Sequence, residues 1–482
     1  MLFSPHPFSL IIFGASGHLA KLKLYPALYI LALKNRLPKQ YAIVGFSRTK
    51  MDENAFKKLV ADAIQQDLHS VSENALQEFL SHVTYHQGQY TEAEDFKALT
   101  QELQNLEKGW KDNVRLAYFS VPPAAYPAIA HNLCKGDVHT KDIPFRCIVE
   151  KPVGHDLVSF QEIKKKLLGC FQEEEIYLLD HYLGKEAVRN IYYLRFANPI
   201  LEQLLKNSLI HHVEISALEP AGIEGRSGYF EKTGTLRDMF QSHLLMIASL
   251  LTMQLRDKDD SLLASRIDAL KKLYLPPASN LDDVILQGQY TTGHVGKEKV
   301  PGYTEEEGVD PQSRTNTFIA LKLLSRTQNW EGVPFYLRSG KRLQEKKTRI
   351  TIEFQQKTDV GKDTKSNRLC IILQGEAGMR IHMQTKMGGT DPSFRPLVLE
   401  DPLVCVGDCL PEHSLLLLEA IHGKQQWFLT FDGVQFAWRL LDPLQSHLDK
   451  ENTPLYSYKA GSNGPKEMDG WIAKDGIRWI NI

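Results

Sequence analysis

Asp180, His181, Tyr182, Lys185 and Glu186 crowd into the single stretch Asp180-His181-Tyr182-Leu183-Gly184-Lys185-Glu186. Imidazole, phenol and ammonium groups together supply the donors that the oxygens of a phosphate monoester require. The same residues would also serve as a capped helix start with polar surface groups. His181 and Lys185 are four apart and would share a face if a helix began between them. A second centre is Gly14-Ala15-Ser16-Gly17-His18-Leu19-Ala20. Gly14 permits a tight turn, Gly17 lets backbone approach a pyrophosphate, and Ala20 allows close helix–strand packing. A helix beginning there offers N–H donors and a partial positive charge to an anion. Its spacing, G-x-x-G-x-x-A, departs from the G-x-G-x-x-G form, so a tight turn without a ligand stays open on the loop alone. A third centre, Ser47-Arg48-Thr49, places a cation and two hydroxyls where an NAD site has a carboxylate for the ribose hydroxyls. That chemistry suits a 2′-phosphate, so the expected cofactor is NADP.

These groups need elements to hold them. Ser9–Phe13 is a short apolar run entering the glycine loop, and helical spacing follows from Leu19 to Leu33. Tyr41–Phe46, Val114–Val121, Phe145–Val149 and Ile176–Leu179 read as further strands. Strands alternating with helices imply right-handed βαβ units and a parallel sheet. Ligands then bind at the carboxyl ends of the strands. Beyond about residue 200 the pattern changes. His211–Leu218 reads as a strand, and a long helical stretch runs from Leu236 to Gln254. Val284–Tyr290, Phe318–Leu324, Val333–Leu337, Arg349–Phe354, Leu369–Leu373 and Met379–Met383 suit a mixed or antiparallel sheet. Gly293–Arg314 reads as a long loop. The expected fold class is an α/β Rossmann-like dinucleotide-binding domain, residues 1–200, followed by a larger α+β domain with a mostly antiparallel sheet, residues 201–482.

Length and composition narrow the function classes. A chain of 482 residues can form two or three domains with a large core. Net charge is −1, so no global field favours nucleic acid or an anionic membrane, and neither is expected as a partner. The six cysteines, Cys134, Cys147, Cys170, Cys370, Cys405 and Cys409, show no disulfide framework and read as reduced thiols of a cytoplasmic protein. Cys405 and Cys409 form a C-x₃-C pair without a second pair or a nearby histidine pair, so no metal site is expected. Met1–Pro7 lacks a basic leader, and Leu244–Leu255 is too short and too polar to span a bilayer.

Over nearly its whole length the chain resembles the glucose-6-phosphate dehydrogenase family. The resemblance runs through Gly14–Ala20, Ser47-Arg48, Pro122-Pro123, Glu150-Lys151-Pro152, Asp180–Glu186, Arg226–His243, Gly332–Lys341 and Ala460–Pro465. It implies oxidation of D-glucose 6-phosphate at C1 to 6-phospho-D-glucono-1,5-lactone with hydride transfer to NADP⁺, the first step of the oxidative pentose phosphate pathway. By the resemblance His243 is the base and Asp180 its supporting carboxylate. His181, Tyr182 and Lys185 hold the phosphate, Glu219 and Asp238 accept from sugar hydroxyls, and Lys341 and Lys346 close the substrate site. Lys151, before a cis Pro152, lies between substrate and nicotinamide. Gly14, Ala15, Ser16, Gly17, His18, Leu19, Lys23, Arg48 and Pro122 join Lys151 around the cofactor. The family also implies a homodimer or homotetramer joined through the sheet of the second domain. His18 departs from the family's aspartate. From its neighbours alone, Phe240, Leu244 and Leu245, His243 reads as a core histidine. Asp238 and His243 are five apart, about 140° around a straight α-helix.

Overall fold

The protein is described by a computed structural model covering residues 6–68, 70–255, 262–356, 364–390, 393–405 and 407–480. The first five residues of the stretch Met1–Pro7 lie outside these. The chain divides into two compact units, Met1–Lys185 with Gly407–Phe431, and Glu186–Val406 with Asp432–Ile482. The first therefore ends at 185, where the sequence suggests a boundary near 200, and regains a segment from late in the chain.

The first unit is built on six parallel strands: β1 (Phe8–Phe13), β2 (Tyr41–Ser47), β3 (Val83–Gln87), β4 (Val114–Phe119), β5 (Phe145–Glu150) and β6 (Ile176–Leu179). Their order is β3-β2-β1-β4-β5-β6, a doubly wound sheet. β1, β2, β4 and β6 are buried along their whole length. Helices on both faces require such continuous apolar runs, which is why these strands show in the sequence. β3, Val-Thr-Tyr-His-Gln, is a half-exposed edge strand without such a run, and sequence reading passes over it. Helix starts follow local chemistry. Asp52 accepts from the Ala55 N–H at 2.7 Å, and Asp156 and Ser159 form a reciprocal capping box. The returning segment places helix Glu412–Ile421 beside the helix Tyr25–Leu33, with Ser414 Oγ donating to the Ala27 carbonyl at 3.1 Å. Leu429 then bridges Leu178 of β6 through its N–H at 2.9 Å.

The second unit centres on β7 (Ile210–Leu218). The strands that follow are β8 (Leu273–Tyr274), β9 (Ile285–Thr291), β10 (Gly293–Val295), β11 (Glu298–Val300), β12 (Phe318–Ser325), β13 (Phe335–Gly340), β14 (Lys347–Phe354), β15 (Arg368–Gln374), β16 (Gly378–Lys386), β17 (Phe394–Pro402) and β18 (Leu455–Lys459). Among the described residues the large sheet runs β17-β16-β15-β14-β7-β13-β12-β9-β18, with β8 paired to β12. Its pairs are antiparallel except β7–β13 and β9–β18. The segment read as a long loop holds the hairpin β10–β11. Phe318, Tyr336, Tyr458, Trp471 and Trp479 belong to one apolar core of this unit.

Candidate active site

The carboxyl ends of the parallel strands carry the expected chemistry of the first unit. Gly14 follows β1, which lies between β2 and β4 where the strand order reverses. Its φ is +81°, and a Cβ there would stand 2.2 Å from the Ser120 carbonyl oxygen, so both conformation and space demand glycine. The Gly14 N–H reaches the Phe46 carbonyl at 2.9 Å, and the Gly17 N–H turns back onto the Gly14 carbonyl at 2.8 Å. Tyr25 Oη fixes the Ala15 carbonyl at 2.6 Å. Ser16 Oγ meets Ser47 Oγ at 3.1 Å and Thr49 Oγ1 at 2.8 Å, tying the loop to the end of β2. The helix after the loop opens with a widened turn, the Tyr25 N–H bonding the Ala20 carbonyl five residues back. Ala20 is buried, Leu19 is half-buried, and His18 and Lys23 are exposed. Arg48 is exposed with its guanidinium 5.5 Å from the centre of the Tyr90 ring, and it makes no ion pair among the described residues. Pro122 is exposed just past β4. A glycine turn that Cβ atoms cannot enter, a helix N-terminus and an unpaired cation fit a dinucleotide at this edge.

Next along the same edge, Glu150 ends β5 with a buried carboxyl that accepts from Tyr118 Oη. Burial pushes its pKa up to about 7, against the opposing pull of the Tyr118 hydroxyl and the Lys151 backbone. Tyr126 Oη holds the Glu150 carbonyl at 3.0 Å. Lys151 is half-buried, and the Lys151–Pro152 bond is cis, as the resemblance implies. Asp180, past β6, is wholly buried and accepts from the Tyr182 N–H at 2.9 Å. It thereby caps a 3₁₀ turn over His181–Gly184. Lys185 is extended and the helix begins only at Glu186. His181 and Lys185 therefore do not share a helical face. Instead Lys185 Nζ sits 3.8 Å from the centre of the Tyr182 ring, and the His181 ring meets that ring edge-on at 5.1 Å. The imidazole and the ammonium thus both sit against the Tyr182 ring.

In the second unit Glu219 follows β7 and accepts from Lys341 Nζ at 2.9 Å. Lys341 is buried, its ammonium 5.3 Å from the Phe230 ring centre. Lys346 is exposed just before β14. Asp238 accepts from Tyr229 Oη at 3.3 Å, and burial with the nearby Asp238 charge pushes the Tyr229 phenol upward. Leu236–Leu244 is a π-helix, closed by the Leu245 N–H on the Phe240 carbonyl. With i→i+5 bonding, position 243 lies one turn above position 238, not about 140° away as a straight α-helix would put it. His243 is buried, 3% exposed, at the end of this segment. Sequence reasoning missed Tyr90 beneath Arg48 and Tyr229 beside Asp238. Their type carries no signal, because an aromatic that supports a functional group looks like any core aromatic.

A doubly wound parallel sheet with a glycine loop at its reversal point, followed by a large mixed sheet, defines a dinucleotide-binding protein of two units. Family models match the chain from end to end: "Glucose-6-phosphate dehydrogenase, NAD binding domain" over residues 11–190 and "Glucose-6-phosphate dehydrogenase, C-terminal domain" over residues 192–480. The chain belongs to the glucose-6-phosphate dehydrogenase family. It is 33% identical to glucose-6-phosphate 1-dehydrogenase of Bacillus subtilis, over 98% of each chain. It is 36% identical to that of Schizosaccharomyces pombe, over 97% of this chain and 94% of the relative. A solved structure described as "Glucose-6-phosphate dehydrogenase in complex with its substrate glucose-6-phosphate" superposes with a TM-score of 0.91 at 30% identity, covering 100% of both chains. The enzyme from Mycobacterium avium gives 0.85 at 27%, covering 99% of both. Among the described residues no helix is long and apolar enough to cross a membrane.

Proposed function

We propose that this chain oxidises D-glucose 6-phosphate at C1 to 6-phospho-D-glucono-1,5-lactone with NADP⁺ as acceptor, the first step of the oxidative pentose phosphate pathway, in the cytoplasm. The observation that carries this reading is the family match over residues 11–190 and 192–480, within which the stretch Asp180–Glu186 lies. NADP⁺, when bound, supplies the acceptor for the C1 hydride. The loop Gly14–Leu19, Lys23, Pro122 and Lys151 hold the dinucleotide. Arg48, exposed on Tyr90 and without a carboxylate partner among the described residues, holds the 2′-phosphate. His181, Tyr182 and Lys185 bind the sugar phosphate. Glu219 and Asp238 accept from sugar hydroxyls, and Lys341 and Lys346 add positive charge. His243 takes the proton of the C1 hydroxyl, and Asp180 stabilises the imidazolium that results.

Leu399, an apolar side chain left 51% exposed on β17, supports a homodimer or homotetramer formed through one face of this sheet. The test is direct. The protein with glucose 6-phosphate and NADP⁺ should generate NADPH absorbance. A flat trace, with turnover on unphosphorylated glucose or galactose 6-phosphate instead, would overturn the substrate assignment.

A further inference from the structure

The amino ends of β5 and β6, opposite the edge that carries Gly14 and Asp180, hold a cluster the reaction does not use. Cys134 lies in the last turn of helix Tyr126–Lys135, and His139 follows that helix. Cys170 follows helix Leu157–Leu168, and Glu175 immediately precedes β6. Cys134 and Cys170 are joined as a disulfide, with Cα atoms 6.0 Å apart. This corrects the expectation of reduced thiols for that pair, and Cys405 and Cys409 are likewise disulfide-bonded, whereas Cys147 and Cys370 are free thiols. A third group completes the cluster. His139 Nδ1 stands 3.6 Å from Cys134 Sγ, and one ligand atom from each of Cys134, His139 and Cys170 lies within 4.8 Å of the others.

Three features make this more than a disulfide beside a histidine. A tetrahedral zinc ion with Zn–S near 2.3 Å and Zn–N of 2.0–2.1 Å sets a sulfur and a nitrogen ligand about 3.6 Å apart, the separation of Cys134 Sγ from His139 Nδ1, while reduction frees the two bonded sulfurs to part. His139 Nε2 meets Glu175 Oε1 at 3.0 Å. A carboxylate on the far nitrogen fixes the tautomer that leaves Nδ1 free to ligate, the usual outer support of a zinc-bound histidine. The imidazole is also locked edge-on against Phe145 and Phe171, at 5.0 and 5.4 Å between ring centres. Cys134, His139 and Cys170 are each half-buried, so an ion can enter and a water can take the fourth position.

We propose that, once the disulfide is reduced, Cys134, His139 and Cys170 bind one Zn²⁺ ion, with Glu175 holding the imidazole. Two electrons from a dithiol or phosphine reductant and two protons, from the dithiol or from water, cleave the S–S bond to two thiols. Each thiol gives up its proton as its sulfur ligates the metal, and His139 ligates as the neutral ring. Two thiolates and an imidazole select zinc over magnesium or calcium. The ion ties the ends of two helices to the start of β6, at the opposite edge from the catalytic groups. Its role is therefore structural.

The full chain, reduced with a phosphine and kept anaerobic, is titrated with Co²⁺ and then Zn²⁺. Wild type should develop a thiolate-to-cobalt charge-transfer band and tetrahedral d–d bands at one equivalent, both abolished by Zn²⁺. Cys134→Ser should lack them, Glu175→Gln should bind roughly 10- to 100-fold more weakly, and turnover should be unchanged in Cys134→Ser. In wild type alone, Zn²⁺ should protect Cys134 and Cys170 from alkylation, read peptide by peptide. That measurement needs no variant. Cobalt bands equal in wild type and Cys134→Ser, or alkylation of both cysteines unaffected by Zn²⁺, would leave a plain disulfide and overturn the proposal.

Discussion

The proposed preference for NADP⁺ over NAD⁺ rests on Arg48. Its guanidinium is exposed, backed by the Tyr90 ring, and faces no carboxylate partner among the described residues. An arginine so placed can fork onto a phosphate, whereas a ribose hydroxyl offers it little. Arg48→Ala should therefore raise the KM for NADP⁺ by at least about tenfold, the loss of one charge-assisted contact, and change that for NAD⁺ far less. Equal losses would remove the 2′-phosphate from its role. The residue type and its place after β2 made Arg48 readable as a candidate before any coordinates. Tyr90 was not legible, because its partnership with Arg48 depends on how a loop returns over β1 and β2.

Elements set where those residues stand. The turn after β1 works only with glycine at 14, since its φ is positive and a Cβ would meet the Ser120 carbonyl oxygen. Gly14→Ala should lower the unfolding free energy by about 1–3 kcal/mol and weaken dinucleotide binding, checked by thermal melts with and without NADP⁺. Unchanged melts would mean that β4 yields easily.

The returning helix Glu412–Ile421 carries a different liability. Burial, with Lys23 working against Glu412, pushes the His413 pKa down to about 4. Burial, with Lys424 and Arg146 adding to it, pushes His422 to about 4. Both rings are neutral in the folded chain, while the unfolded chain protonates near 6.5. Their contribution to stability is complete above pH 6.5 and is lost as pH falls from there towards 4. The melting temperature of His413→Gln/His422→Gln should therefore fall less than that of wild type over that interval. Parallel slopes would contradict the account. The π-helix at Leu236–Leu244 was equally hidden. Its i→i+5 bonding leaves no mark in the pattern of apolar residues, so a straight helix was the natural expectation, and it misplaced Asp238 relative to His243.

For the whole molecule, what the sequence shows follows burial. Strands covered on both faces announce themselves as apolar runs, so the doubly wound sheet was readable from Phe8 to Leu179. Edge elements such as β3 and the hairpin β10–β11 are half wet and were not. The return of 407–431 to the first unit was invisible for another reason: an apolar helix face does not state which partner covers it. The candidate residues were readable as chemistry within Gly14–Ala20 and Asp180–Lys185. His243 was readable only through family resemblance, since an imidazole among Phe240, Leu244 and Leu245 looks like core. At this scale β17 is the telling surface. Leu399→Glu should shift sedimentation toward the monomer, and an unchanged coefficient would move the proposed contact off this strand.

The central claim is that His243 takes a proton from the C1 hydroxyl of glucose 6-phosphate, and steady-state kinetics of His243→Asn beside wild type tests it most directly. The account predicts kcat lower by at least about 10², with the KM for glucose 6-phosphate little changed. A variant that keeps its kcat, or a wild type that makes no NADPH from this substrate, would contradict it.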